Sequence, residues 1–574
     1  MIKSPMNRAA LICVSAVTLL LGTPLDPAAL RAATAQDRAA QSAQRPAVQA
    51  ETLDSLRARI AAHIALPRFT AASWGVKIVS LDSGKTVFEH NPQKYFSPAS
   101  NAKLFTAALA LDRLGPEFRI KTSVYCSSRP DANGTVKGDL IVYGRGDPTM
   151  AARLNEGDYW KPLDPLVAQI VNAGVRRVEG DLIGDESFFS GPPFGSGWEW
   201  DDLQAYYGAE ASALTVNDNS IDLFVKPAER AGLPCRISTG PQTSLVTIIN
   251  RTQTAAKGTE TRISVYRPVG ENIIYVSGHA AVDSAGFTGS YAVHNPASLF
   301  VSMLKEALAR RGVTVIGRTR TIDSKYRDVT PLDLSKLIEI CSIESMALKD
   351  MVRETLKPSQ NLWAQLLLLQ VGANRGKGDM SSASEEKSSA KNAAGGAQTE
   401  KSEPNPQPLN PQLTTEDKGV ESMQEFLAQA GVKEGDVLLE EGAGLSRRDV
   451  ITPNATVALL AYMSRHRLAE AYRNALPIAG VDGTLEKRMK GTAAAGNVRA
   501  KTGSLRYVFT MSGFVTTASG ERLAFSLMLN NYYNLERSAA LRDPLLAPKT
   551  PIPPPREDLD AIAVMLAGFT GKSQ

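Results

Sequence analysis

The chain has 574 residues, with 64 Lys and Arg against 59 Asp and Glu, for a formal net charge of +5 at pH 7. That length exceeds what one hydrophobic core organises and implies roughly three to four domains, while the 43% hydrophobic and 21% charged fractions are those of a soluble globular protein. The charge is mild, no arginine-rich stripe interleaves with aromatics, and the five histidines are scattered without Cys-x-x-Cys or His-Glu-x-x-His, so neither nucleic acid, a metal nor a cofactor is expected.

Lys3 and Arg8 precede an apolar run over residues 9–22, and Ala33-Thr34-Ala35 offers a small-x-small cleavage site before Gln36. Residues 1–35 therefore read as a secretory signal peptide, too short in its apolar part for a comfortable span, and the mature protein is expected in the periplasm. The alternative is an uncleaved interfacial anchor with weak membrane association. Cys13 follows Ile12 rather than a small residue, which argues against a lipoprotein signal. Cys126, Cys235 and Cys341 remain, an odd number that allows one intramolecular disulfide, and Cys126 with Cys235 is the expected pair.

Leu53, Leu56, Ile60 and Ile64 recur at helical spacing. Alternation through Val76, Ile78 and Ser80, the turn Asp82-Ser83-Gly84-Lys85 and a return at Val87-Phe88-Glu89 predict a hairpin. Ser100 then opens an apolar run over residues 104–114 that Gly115 ends, so Ser100 belongs to the first turn of a buried helix with Lys103 on the same face. Residues 122–327 are strand-rich, with helices at 165–173, capped by Asp164, and at 297–311. Residues 374–419 are dense in Ser, Ala, Glu, Lys, Gly and Pro without an aromatic residue, which predicts a disordered insertion. Val420, Met423, Leu427 and Ala430 then restart a helix. Strands at 512–516 and 522–530 flank Ala518-Ser519-Gly520-Glu521, and Leu559, Ile562, Ala563 and Leu566 form a last amphipathic helix. Hairpins from both chain ends suggest one mixed sheet completed by the two termini.

Three motifs carry chemistry: Ser100-Asn101-Ala102-Lys103, Ser359-Gln360-Asn361 and Lys501-Thr502-Gly503. Ser-x-x-Lys alone is weak, since it recurs at Ser302–Lys305, Ser384–Lys387 and Ser388–Lys391, where a packing or solvated role suffices. Ser100 differs because its hydroxyl opens an apolar helix and Lys103 faces it from inside. A serine becomes a nucleophile beside a base, and a lysine serves when burial and a second cation keep it neutral. Ser359 and Asn361 start another apolar run, where the bland role is a helix N-cap and the functional one is proton passage by Ser359 and binding of a substrate amide by Asn361. Lys501-Thr502-Gly503 suits an edge strand: Gly503 lets substrate backbone approach, Thr502 binds a terminal carboxylate, and Lys501 adds positive charge. Ser100 and Ser359 stand 259 residues apart, room for a domain-sized insertion.

The surroundings of these motifs resemble the class C low-molecular-mass penicillin-binding proteins, the D-alanyl-D-alanine carboxypeptidase/endopeptidases of the penicillin-binding protein 4 type. The resemblance runs through Pro98-Ala99-Ser100, Gly144-Arg145-Gly146-Asp147-Pro148-Thr149, Trp198-Glu199-Trp200-Asp201-Asp202, Tyr206-Tyr207-Gly208-Ala209, Gly442-Ala443-Gly444-Leu445-Ser446-Arg447 and Arg499-Ala500-Lys501-Thr502-Gly503-Ser504. It covers residues 51–545 apart from the low-complexity stretch. It implies an α+β fold: a penicillin-binding-protein/β-lactamase-like transpeptidase domain, a mixed sheet with helices, carrying two inserted β-rich domains. The implied catalytic domain comprises residues 51–122 and 328–547 with a C-terminal helix to about 570. Inserted domain II would take residues 123–183 and 290–327, and domain III residues 184–289. The implied reaction acylates Ser100 with a D-alanyl-D-alanine peptide or the D-alanyl bond of a peptidoglycan cross-link, and then hydrolyses the ester. β-Lactams would be covalent inhibitors. The oxyanion hole would be the backbone N–H groups of Ser100 and Ser504, and Asp202 (or Asp201) with Arg447 would bind a diaminopimelate side chain. Ala443, Glu441 and Gln365 stand where the family usually has Ser, Asp and Glu.

Two other functions compete. A β-lactamase or D-amino-acid esterase would use the same motifs, but the large insertion argues against it. A non-catalytic wall-binding scaffold would not need all three motifs.

Overall fold

The computed structural model describes residues 50–375, 413–533 and 554–573. The expected signal peptide and residues 376–412 of the low-complexity stretch lie outside the described residues. Helices Asn361–Asn374 and Thr415–Gln429 reach into both ends of that stretch, so regular structure resumes at Thr415 rather than near residue 420. Thr414 explains the earlier start, because its hydroxyl and Asp417 cap each other's backbone N–H groups.

Five antiparallel strands form the first sheet in the order Arg499–Leu505, Val508–Thr516, Arg522–Asn530, Ser73–Ser80, Thr86–His90. The N-terminal hairpin is thus completed by the C-terminal strands. Alternation sorts the central strand between two layers. Leu523, Phe525, Leu527 and Leu529 pack with Leu56 and Ile60 of helix Leu53–Ile64 and with Leu559 and Ile562 of helix Pro555–Ala567. Ala524 and Met528 face the helical layer that holds Ala102–Leu114 and Asn361–Asn374. Both of those helices are buried nearly all round, as their unbroken apolar runs require.

Between the first two motifs lies a second five-stranded sheet, ordered Thr319–Ile322, Leu182–Asp185, Leu140–Tyr143, Lys121–Cys126, Ile338–Glu344. Three three-stranded sheets accompany it among the described residues, one built on Ser220–Lys226, one on Ile273–Ala281 and a small one on Arg177–Val178. Strand Ile338–Glu344 pairs with Lys121–Cys126, so this part extends past the boundary expected at residue 327. Residues from Val124 to Val315 share one hydrophobic core that spans both expected inserted domains.

Two local expectations change. Asp164 is the first residue of helix Asp164–Asn172 rather than its cap, since its backbone is already helical. Cys126, Cys235 and Cys341 are free thiols. Cys235 lies against Thr254 (3.8 Å), whereas the thiol close to Cys126 is Cys341 on the neighbouring strand, where burial and the Glu339 charge push it up to about 12.

The inserted part grips helix Asn361–Asn374 through Trp363. Its indole is fully buried and donates to Asp218 Oδ1 (2.7 Å), and the Arg153 guanidinium lies 4.3 Å from the ring centroid. Arg153 also bonds Asp218 (3.1 Å) and Glu354 (2.9 Å), tying the insertion to helix Leu348–Leu356. Trp363→Ala should therefore cost about 3–5 kcal/mol by loss of packing, measured as a lowered urea midpoint. A cost below about 1 kcal/mol would show that this contact does not anchor the insertion.

Candidate active site

Ser100 sits on a single 3-10 turn, Ala99–Asn101, that leads into helix Ala102–Leu114. The turn is pinned to the sheet from below. Buried Asn101 donates to Ser512 Oγ (2.8 Å), and Thr510 donates to the carbonyl of Pro98 (2.8 Å). Ala99 has φ +47°, a left-handed conformation that a side chain bears only when the surroundings hold it.

The motif strand Arg499–Leu505 lies directly against this turn. A Cβ on Gly503 would fall 2.8 Å from Pro98 O and 2.9 Å from Ser100 N, so only glycine allows the approach. The strand is also the sheet edge. Among the described residues its outer side pairs only in the bridge from Arg499 to Ile478, which leaves the backbone beyond open to an extended peptide.

Lys103, fully buried, donates to Ser100 Oγ (2.8 Å), to Asn361 Oδ1 (2.7 Å) and to the carbonyl of Ala443. Burial pulls its amine down to about 7, while the charges of Glu441 and Asp449 act in the opposite sense. Lys501, also fully buried, donates to Ser359 Oγ (2.7 Å) and to the carbonyl of Thr502 (2.6 Å). Burial and then the neighbouring Lys103 hold Lys501 well below an ordinary lysine. The two lysines each contact a different serine, and the Lys103 charge makes protonation of Lys501 harder.

Ser359 is not the helix cap. Gln360 takes that place, its side chain accepting from Leu362 N (3.2 Å), and Ser359 stands one residue earlier at φ +67°. That strained backbone costs of order 1–3 kcal/mol and frees the hydroxyl to meet Lys501. Asn361 donates to the carbonyl of Tyr207 (2.9 Å), and Thr502 donates to Thr484 (2.8 Å). Ser504 is exposed beside Gly503 on the edge strand.

Behind Lys103 lies an acidic shell that the motifs do not reveal. Glu441, 1% exposed, accepts from the N–H groups of Ala443 (2.6 Å) and Leu445 (2.8 Å), shaping the loop whose Ala443 carbonyl meets Lys103. Asp449 bonds Glu440 N (2.9 Å), and burial with the adjacent Glu441 charge pushes it well above the usual carboxylate range. Gln365 accepts from Gly442 N (2.9 Å) and donates to Glu416, which in turn accepts from Ser196 Oγ (2.6 Å). Glu441 and Gln365 register in the sequence only as unusual residues at their places, and nothing there links them to Lys103.

Arg447 lies by the edge strand but meets a different acid from the one expected. Its Nε is 3.4 Å from Glu199, and it donates to the carbonyl of Arg506 (3.4 Å). Asp202 feels Arg447 electrostatically, yet burial and then the Asp201 and Glu199 charges raise it. Asp201 is exposed. Of the other Ser-x-x-Lys pairs, Lys305 donates to the carbonyl of Gly317 (2.9 Å), a packing role; those at Ser384 and Ser388 lie outside the described residues.

The D-Ala-D-Ala carboxypeptidase 3 (S13) family model matches residues 56–393 and 410–547. A D-alanyl-D-alanine carboxypeptidase of Actinomadura sp. (strain R39) is 32% identical over 530 residues, covering 90% of this chain and 86% of the relative. The D-alanyl-D-alanine carboxypeptidase DacB of Haemophilus influenzae is 25% identical over 456 residues, 79% of this chain and 84% of its own. The crystal structure of penicillin binding protein 4 from Haemophilus influenzae superposes with a TM-score of 0.68 at 22% identity, over 88% of this chain and 97% of that one. The same protein is also known in complex with a β-lactam (TM-score 0.63, 22% identity, 88% and 97% covered).

A base must be unprotonated to accept a proton, so acylation of Ser100 should rise with pH through an inflection near 7 and level off above it. Because Glu441 and Asp449 favour the ammonium form, the double variant Glu441→Gln, Asp449→Asn should move that inflection to lower pH. Acylation rates measured by stopped flow between about pH 5 and pH 9 read both effects. An inflection unmoved or shifted upward would exclude the acidic pair from control of Lys103.

Proposed function

The chain belongs to the D-Ala-D-Ala carboxypeptidase 3 (S13) family, and we propose that it cleaves D-alanyl-D-alanine ends of peptidoglycan peptides through an acyl-enzyme on Ser100. The observation that carries this reading is the contact of a buried, weakly basic amine, Lys103, with the hydroxyl of Ser100 (2.8 Å) beside an open edge strand.

An extended stem peptide pairs along residues 501–505, with its terminal carboxylate toward Thr502 and Lys501. Neutral Lys103 takes the proton as Ser100 Oγ bonds to the penultimate D-alanyl carbonyl carbon. The resulting oxyanion is held by the N–H groups of Ser100 and Ser504. The C–N bond then breaks, and the departing amine of D-alanine receives a proton through Ser359, which Lys501 orients. Water, deprotonated by the Lys103 amine that is neutral again, attacks the acyl carbon, and the ester bond to Ser100 Oγ breaks with return of the proton to Ser100. A D-alanyl bond inside a cross-link presents the same carbonyl, so endopeptidase action uses the same steps. Arg447, with Glu199 and Asp202, supplies charges of both signs for a diaminopimelate ammonium and carboxylate. The basic and apolar N-terminal segment supports export to the periplasm, where such peptides occur.

A fluorescent penicillin tests the reading, since its acyl-enzyme keeps the leaving group tethered. Purified protein should take up one label, which Ser100→Ala and Lys103→Ala abolish. A labelled Ser100→Ala variant would refute the assignment, an unlabelled wild type would favour the scaffold, and rapid release of label would favour a β-lactamase. Arg447→Ala should lower kcat/KM for a diaminopimelate-containing peptide about tenfold more than for a simple di-D-alanine substrate. Equal losses would make Arg447 structural.

A further inference from the structure

A cleft of about 440 Å³ opens at the end of the first sheet remote from Gly503, between helix Ala469–Ala475 and the strand ends. Three guanidiniums line it, those of Arg473, Arg499 and Arg522. Arg522 is neutralised by Asp82, at 2.8 Å from Nε and 2.6 Å from a terminal nitrogen. Arg473 and Arg499 make no side-chain hydrogen bond or ion pair among the described residues. Burial and then the charges of Arg499 and Arg522 pull Arg473 below its ordinary value, so the three groups converge closely enough to repel one another. Glu470 also lines the cleft, but it is exposed and pairs with none of them. Phe514 and Leu523, both buried, and Leu81 form an apolar part of the wall, beside Ser464, Asn474 and Thr516.

Gathering like charges around an open space without a counter-charge is unfavourable unless a ligand supplies it. Two unneutralised guanidinium forks match a dianion with several acceptor oxygens, and an apolar wall suits an organic body attached to it. We propose that this cleft is a binding site for a phosphoryl group carried on a small organic or lipid body, distinct from the Ser100 site. Arg473 and Arg499 grip the phosphoryl oxygens, while Arg522, already paired with Asp82, only borders the site. The site is independent of the acyl-transfer reading. Arg499 nevertheless lies two residues ahead of Lys501 on the same strand, about 7 Å along it.

Isothermal titration of the full chain in low-salt, phosphate-free buffer tests this, with glycerol 3-phosphate as the soluble probe and phosphatidylglycerol vesicles as the lipid probe. One saturable site is expected. Arg473→Ala and Arg499→Ala should each weaken it about tenfold or more, and Arg473→Lys, which keeps the charge but loses the fork, several-fold. Exposed Lys257→Ala, in a turn of the inserted region, should leave it unchanged. Saturable binding of glycerol 3-phosphate assigns a soluble ligand, and arginine-dependent binding of the vesicles alone assigns a lipid. Circular dichroism of each variant separates lost binding from lost folding, and Arg473→Lys serves if an alanine variant unfolds. The proposal fails if neither probe saturates at about 10 mM, if both arginine variants bind as the wild type does, or if succinate binds as tightly as the phosphate ester.

Discussion

Taking a lysine amine out of water is the constraint around which this structure is arranged. A buried ammonium costs several kcal/mol, and the protein avoids much of that by letting Lys103 lose its proton near neutrality. The neutral amine is the form that can accept from Ser100. Burial and catalytic competence are therefore one feature rather than two. Lys501 is subject to the same burial, and the Lys103 charge holds it down further. The acids on the far side of Lys103 oppose that drift. Without them the amine would fall further and become a weaker base, and with more negative charge it would stay protonated. The site balances these two errors.

Helix Asn361–Asn374 shows how the insertion takes part in this balance. Asn361 holds Lys103 and reaches Tyr207, Trp363 binds Asp218, and Gln370 donates to the carbonyl of Arg145. Tyr207, Asp218 and Arg145 all belong to the inserted region. Gln365 meets Glu416, which holds Ser196 of that region. The second motif is thus braced from Asn361 to Gln370, over more than two turns of helix, by chain inserted between Ser100 and itself. A separate module tethered by linkers would not fix Asn361 against Lys103, whereas a continuous packed face does.

The motif residues that the structure brings together were legible in the sequence because they are side chains in short motifs with distinctive spacing. The two hairpins followed from alternation and turn residues, and the buried Ser100 helix from an apolar run ended by Gly115. What escaped depends on pairing between distant segments. Strand Ile338–Glu344 joins Lys121–Cys126 across more than 200 residues, so no local signal placed it in the second sheet. Their shared place in the inserted region likewise suggested Cys126 with Cys235, while sheet pairing brings Cys341 near Cys126 instead. Ser359 resembled a cap because Ser is a good one, but its left-handed backbone hands that role to Gln360. Tyr207 contributes only a carbonyl, which carries no side-chain signal.

The residues that depart from the family pattern show which features the site requires. Ala443 lacks a hydroxyl, yet Lys103 uses its carbonyl, and a carbonyl is common to every residue. What matters is where that carbonyl points. Glu441 fixes it by accepting from Ala443 and Leu445, and Gly444, at φ +73°, lets the loop fold onto Ala99 where a Cβ would collide with the backbone. Gln365 keeps both roles at its position, accepting from Gly442 and donating to Glu416, and a neutral amide beside Glu416 avoids a further buried charge. Tolerance here follows hydrogen-bond geometry rather than residue identity. The requirement is a loop that presents one carbonyl to Lys103, with buried acids behind it.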